Sequence, residues 1–279
     1  MGRQTLGMWL NAIAVSRDGK WVVCGFVGGA NVWDAELQKR VAKVESANVV
    51  EAVDVSPEST RFATAASSKA SIWNITTGKK LVGPLAHDAP VNGIKFSPDG
   101  RHIATACQDS IRIFDSYNGD QLIIIDNPMP GKMAITPIVW PSDGRRVFAI
   151  SKGGKIKSFD ASTRSQLAEW EAASDSGDVE SIAMSTNNRF IASSAGHSIS
   201  FWDTSTHTRL GSVLEDVDRI RSIALSPDGI HLATGGENKT VTIWNLSEIL
   251  PESYLPIAVS TPFPMSWPLI TFICRFTLL

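Results

Sequence analysis

Apolar and polar positions recur along this chain in the same order six times. Each unit opens on apolar residues six, three and one places ahead of a tight turn. These are Leu10, Ile13 and Val15; Val50, Val53 and Val55; Val91, Ile94 and Phe96; Ile135, Ile138 and Trp140; Val179, Ile182 and Met184; and Ile220, Ile223 and Leu225. The turns carry Pro, Asp, Asn and Gly at the places where a reversal needs preset φ, backbone acceptors and positive φ, as in Ser97-Pro98-Asp99-Gly100 and Ser16-Arg17-Asp18-Gly19. A second apolar column follows six residues past each turn start, at Val22, Phe62, Ile103, Val147, Ile191 and Leu232. Each unit then reaches an aromatic followed by Asp or Asn: Trp33-Asp34, Trp73-Asn74, Phe114-Asp115, Phe159-Asp160, Trp202-Asp203 and Trp244-Asn245.

Those aromatics stand 40, 41, 45, 43 and 42 residues apart, and each lies 17 or 18 residues past its turn start. The alternation before each turn predicts a half-buried strand, the column after it a second, and the run closing on the aromatic a third. A weaker fourth follows a polar turn, such as Thr77-Gly78-Lys79-Lys80 before Leu81 to Leu85. Four short antiparallel strands repeated at this period predict propeller blades.

The turn Ser97-Pro98-Asp99-Gly100, strands such as Ile103-Ala104-Thr105 and the closing Trp-Asp pairs make residues 3 to 250 similar to the WD40-repeat family. The resemblance implies an all-β propeller with six recognisable four-stranded blades, a possible incomplete seventh, and service as a rigid platform for other proteins. Residues 1–250 are assigned to the propeller and 251–279 to an apolar, Pro-rich extension expected to be poorly ordered. The family's buried polar set, a His, a Ser or Thr, an Asp and the Trp indole, is thinned here. Only the third repeat has the histidine, His87, where the second and sixth have Ser46 and Asp216. The hydroxyl column reads Cys24, Thr64, Thr105, Ala149, Ser193 and Thr234, and Asp109 stands at the Asp position of the third repeat. Ring closure is expected from the short segment Arg3-Gln4-Thr5-Leu6 or from Tyr254 to Val259.

Composition narrows the function. The 279 residues carry a formal net charge of −2, with no long run of Lys or Arg, which argues against a nucleic-acid footprint. Three cysteines are too few and too odd for a disulfide framework, and the first residues lack an apolar leader, so a cytoplasmic location is expected, with the nucleus as the second option. Pro256, Pro262, Pro264 and Pro268 interrupt the apolar tail and speak against a membrane anchor. No cysteine stands at metal spacing from a histidine, and neither a Gly-x-Ser-x-Gly elbow nor a phosphate loop occurs, so no cofactor, metal or small-molecule substrate is expected. Gly28-Gly29 and Gly153-Gly154 fall where hairpins need turns.

His87, Thr105 and Asp109 have the residue types of a hydroxyl triad, but their family positions read as a buried hydrogen-bond set. The chain is therefore expected to be non-catalytic and to bind a protein or peptide across one rim. In the family, the loops entering the first strand share that face with those between the second and third. The candidates are Trp9, Asn11, Glu51, Asn92, Thr136, Asp178, Glu180, Arg219 and Arg221, with Trp9 and the two arginines favoured as interface anchors. The rival readings are an enzyme with a central-channel site and a fragment of a larger signalling or scaffold protein.

Overall fold

The turns are tied by their own side chains. Ser97 Oγ donates to Asp99 Oδ1 at 2.6 Å and accepts from His102 N at 2.9 Å, while Gly100 closes the turn at φ +71°. Ser16 makes the same arrangement with Asp18 and Trp21 N, at 2.5 and 2.8 Å. The Asp or Asn after each aromatic has a comparable task. Asp115 accepts from the backbone N–H groups of Tyr117 and Asn118 at 2.8 and 3.1 Å, and Asp203 accepts from those of Ser205 and Thr206 at 2.7 Å. A short carboxylate thus organises the reversal between third and fourth strands. The aromatic is the last packed residue of its strand; the acid begins the turn.

The structure is a computed structural model and describes residues 10–127, 137–172, 179–226, 228–236 and 240–255. Its strands pair antiparallel in chain order into five sheets. The first sheet holds Leu10–Val15, Trp21–Asp34, Lys39–Val55, Arg61–Ala66, Lys69–Asn74 and Lys80–Ala86. The second holds Val91–Phe96, His102–Cys107, Ser110–Asp115 and Gln121–Asp126; the third Ile138–Val139, Arg146–Ser151, Lys155–Asp160 and Gln166–Glu171. The fourth comprises Val179–Met184, Phe190–Ala195, Ser198–Asp203 and Arg209–Glu215, and the last Ile220–Leu225, His231–Gly236 and Val241–Asn245. The all-β propeller expected from the repeats is present.

The blade count differs from the six, with a possible seventh, that the repeats lead one to expect: five sheets form among the described residues. Strand Lys39–Val55 is the cause. It is 17 residues long and pairs with Trp21–Asp34 through its first part and with Arg61–Ala66 through its last, so the first two repeats share one six-stranded sheet. Later repeats break at this point; residues 87–90, for example, lie outside any strand. Within Trp21–Asp34, Gly28 and Gly29 have φ of +105° and +145°, and a Cβ at Gly29 would lie 2.0 Å from Val44 O. The pair was expected as a turn between two strands but lies inside this one strand, and only glycine fits its second position.

The apolar columns meet between consecutive repeats. Val50, Val53 and Phe62 pack with Val23, Val32 and Val44 of the first repeat. Val91, Ile94 and Ile103 pack on Ile72 and Leu85 of the second, and Ile138 and Val147 on Ile111 and Ile113 of the third. Val179, Ile182 and Ile191 join Phe148 and Ile156, while Ile220, Ile223 and Leu232 join Phe190, Phe201 and Leu210. Phe62, Phe148, Phe190 and Phe201 are completely buried, each worth roughly 1.5–3 kcal/mol of transfer free energy. Among the described residues no such cluster joins the last sheet to the first. Ile243 of the last sheet is 46% exposed, whereas Val32, Ile72 and Ile113 at the same repeat position are at most 1% exposed.

The segment Arg3-Gln4-Thr5-Leu6 lies outside the described residues, as does all of the tail beyond Leu255. Tyr254 belongs to a short 3-10 turn, Glu252–Tyr254, rather than to a closing strand. Its hydroxyl donates to Asp203 Oδ2 at 2.6 Å and its carbonyl accepts from Asn187 Nδ2 at 2.9 Å, which fastens this segment to the fourth sheet.

Candidate partner-binding rim

In four of the five sheets the register slips at one recurring place. In the first strand of a repeat the ladder shifts between Leu10 and Ala12, Val50 and Ala52, Val91 and Gly93, Val179 and Ser181, and Ile220 and Ser222. The residues inside those shifts are Asn11, Glu51, Asn92, Glu180 and Arg221. A bulge takes its residue out of the ladder and re-aims its side chain, and bulges concentrate at rims and beside sites. Five of the nine sequence candidates are therefore bulge residues. First strands also bond directly to one another: Asp54 accepts from Lys95 Nζ and Phe96 N, both at 2.8 Å.

Charge collects where the fourth and fifth sheets meet. Glu180 is 7% exposed and accepts from Arg219 Nε at 2.6 Å and from Arg221 Nη1 at 3.1 Å, with Arg219 Nη2 closing a further contact on the same carboxylate. The two arginines keep 30% and 38% of their side-chain surface. Two guanidiniums share one carboxylate, so the cluster presents a held positive charge. Arg219 and Arg221 stand 39 and 41 residues beyond Glu180, about one repeat. That spacing is the signal by which the pairing was legible in the sequence, where the three were instead counted as separate rim residues. Asn11 and Glu51 are half-buried, while Asn92 is buried and its Oδ1 has no hydrogen-bond partner among the described residues. Trp9, Thr136 and Asp178 lie outside the described residues.

The family's polar set survives in pieces. Trp73 and Trp202 donate their indole N–H to Thr64 and Ser193, both at 2.9 Å, and Trp244 donates to Thr234 at 3.3 Å. In the first repeat Cys24 replaces the hydroxyl residue, and Trp33 Nε1 is buried with no hydrogen-bond partner among the described residues. In the third repeat His87 Nε2 lies 2.7 Å from Thr105 Oγ1, and Nδ1 lies 3.0 Å from Leu85 O. A carbonyl only accepts, so Nδ1 carries the proton and Thr105 donates to Nε2. Burial lowers the His87 pKa to about 4, and the Arg112 guanidinium adds to the effect.

This geometry does not make a triad. Asp109 accepts from Ser110 Oγ at 2.9 Å, Leu85 O occupies the place of an orienting acid, and both His87 and Thr105 are buried. Burial likewise pushes the Cys107 thiol up to about 12. Among the described residues no group of three His, Cys, Asp or Glu is placed to hold a metal, and no helix is long and apolar enough to cross a membrane. Sequence reasoning missed one feature, a cavity of about 260 Å³ beside Ser46 and Thr64.

The family model described as "WD domain, G-beta repeat" matches residues 79–115, 164–203 and 209–245. The chain is 25% identical over 252 residues to Autophagy-related protein 16 of Arabidopsis thaliana, covering 83% of this chain and 48% of that one. It therefore spans about half the length of that relative. Over 267 residues it is 24% identical to a guanine nucleotide-binding protein subunit beta of Oryza sativa subsp. japonica, covering 86% and 70%. The β-propeller domain of Cps50 (Swd1) from Myceliophteria thermophila superposes with a TM-score of 0.72 at 16% identity, covering 85% of this chain and 82% of that one, a likeness of fold.

Proposed function

The chain belongs to the WD40-repeat family, and on that premise we propose that it is a non-catalytic interaction platform that presents one propeller rim to a protein or peptide. The observation that carries this reading is the Glu180–Arg219–Arg221 cluster. Two guanidiniums are held across a sheet junction before any partner arrives, so binding them costs little ordering entropy. Arg is also favoured at interface hot spots. Asn11 and Glu51, set in bulges of the same kind, extend the surface, and Trp9, Thr136 and Asp178 are assigned to it by their place in the repeat. The rice relative is by its printed name a subunit of an assembly, which agrees with a binding role. We place the chain in the cytoplasm or nucleus, with a protein partner rather than nucleic acid, membrane or small-molecule substrate.

Reversing both arginines would leave three carboxylates together, so the cleaner perturbation removes the cluster whole. The variant Glu180→Gln/Arg219→Gln/Arg221→Gln removes the three charges together and keeps a polar side chain at each position. Quantitative affinity capture with the full chain should recover the wild type's partners several-fold less well on this variant. If the triple variant melts like the wild type and recovers the same proteins in the same amounts, the rim is not the binding surface.

A further inference from the structure

One station in the repeat is filled differently in successive units. It lies ten residues ahead of each turn, beside the hydroxyl that receives the Trp indole. In the third repeat it holds the His87 imidazole, 2.7 Å from Thr105 Oγ1. In the sixth it holds a carboxylate: Thr234 Oγ1 donates to Asp216 Oδ2 at 2.8 Å while accepting from Trp244. Both residues are anchored alike, His87 N–H to Ser68 O at 3.0 Å and Asp216 N–H to His197 O at 2.9 Å.

The second repeat has Ser46 at this station. Its hydroxyl turns away to accept from Asn48 N at 3.2 Å and does not reach Thr64. Thr64 is buried and accepts from Trp73 Nε1 at 2.9 Å, but its own O–H has no protein acceptor among the described residues. What replaces the side chain is the cavity of about 260 Å³, lined by Ser46, Thr64, Ser71 and Trp73 together with Lys69 and Lys80. The register shift between Val27 and Gly29, whose partners are Val49 and Glu45, leaves Ser46, Ala47 and Asn48 of the shared strand Lys39–Val55 bulged beside it. Lys80 Nζ lies 4.8 Å from the Trp73 ring centroid. Glu45 also borders the cavity, but Lys43 holds its carboxylate at 3.0 Å, and that side chain is 81% exposed.

We propose that this cavity receives the carboxylate side chain of an aspartate or glutamate from an acidic protein segment. The incoming carboxylate completes the Trp73–Thr64 pair from outside, as Asp216 completes Trp244–Thr234 from within. Three features select it. The Thr64 hydroxyl, polarised by the indole N–H, is a directed donor. Two lysines at the lining favour an anion over a neutral imidazole. The volume lies below the ~300–1,000 Å³ of small-molecule sites and suits one side chain. The site uses none of the rim residues, so its success or failure is separate from theirs.

The Trp73 indole N–H is a built-in reporter. Full-length ¹⁵N-labelled protein is titrated at constant ionic strength with N-acetyl-aspartate amide and N-acetyl-glutamate amide, and Trp73→Phe assigns the indole signal. A saturable shift of that signal is expected with the acids, and none with N-acetyl-asparagine amide or chloride. Thr64→Val, which keeps the volume and removes the donor, should weaken the response at least roughly tenfold. Ser46→Asp, which supplies a carboxylate from within, should abolish it while leaving the fold intact. The rim triple variant should respond like the wild type. Absence of a saturable shift, an equal shift with the asparagine amide or chloride, or an undiminished response in folded Ser46→Asp each overturns the proposal.

Discussion

His87 makes stability depend on pH in a window where few other groups titrate. Its imidazole is buried, donates to Leu85 O and accepts from Thr105, and its folded pKa falls from 6.5 to about 4. The fold therefore prefers the neutral ring, while the unfolded chain takes up a proton from about pH 6.5 downward. The contribution is complete above pH 6.5 and is lost as pH falls toward 4. Each pH unit between the two pKa values is worth about 1.36 kcal/mol, which sets a ceiling of about 3 kcal/mol, most of it gone by about pH 4.5. His207 is shifted in the same direction, by burial and by Arg146, so the wild type alone does not isolate His87. His87→Gln removes the titration and keeps an amide near both partners. Urea unfolding followed by tryptophan fluorescence between about pH 7.5 and 4.5 should give a wild-type curve steeper than the variant's by about 2–3 kcal/mol. Parallel curves would refute the assignment of a neutral, hydrogen-bonded imidazole.

Two further perturbations follow from the same hydrogen-bond accounting. Trp33 Nε1 is buried with no hydrogen-bond partner among the described residues, and Cys24 stands at the repeat position where Thr64 and Ser193 accept from their tryptophans, so Cys24→Ser supplies the acceptor present in other repeats. It should add about 0.5–1.5 kcal/mol and raise the melting temperature by about 2 °C in calorimetry; a lowered temperature would contradict the reading. Arg61 crosses from the second repeat to the third, donating to Ser116 O and Oγ, both at 3.0 Å, and to Gly100 O at 2.8 Å, with Tyr117 stacked 4.1 Å away. Arg61→Ala strands those acceptors and should cost about 3–5 kcal/mol by urea midpoint, and Arg61→Lys should recover little because an ammonium lacks the planar fork.

The rim shows which kinds of information a sequence carries. Asn11, Glu51, Asn92, Glu180 and Arg221 were placed on one surface by counting from the apolar columns, because the repeat keeps its spacing. The count could not say that a bulge surrounds each of them, since a register shift depends on the partner strand. Nor did it separate Asn92, which is buried, from the half-exposed arginines.

The order of strands, the turns and the faces that pack were determined by residues within a few places of one another. Period-two alternation, Asp and Gly at reversals and an aromatic at the strand end each act over a handful of bonds, so the string of letters contains them. Contacts between repeats were decided only by the tertiary structure, because they depend on how two sheets lie together. That is why Lys39–Val55 merges two expected blades into one sheet, why Glu180 takes both arginines, and why replacing a histidine with Ser46 leaves a cavity instead of a collapsed wall.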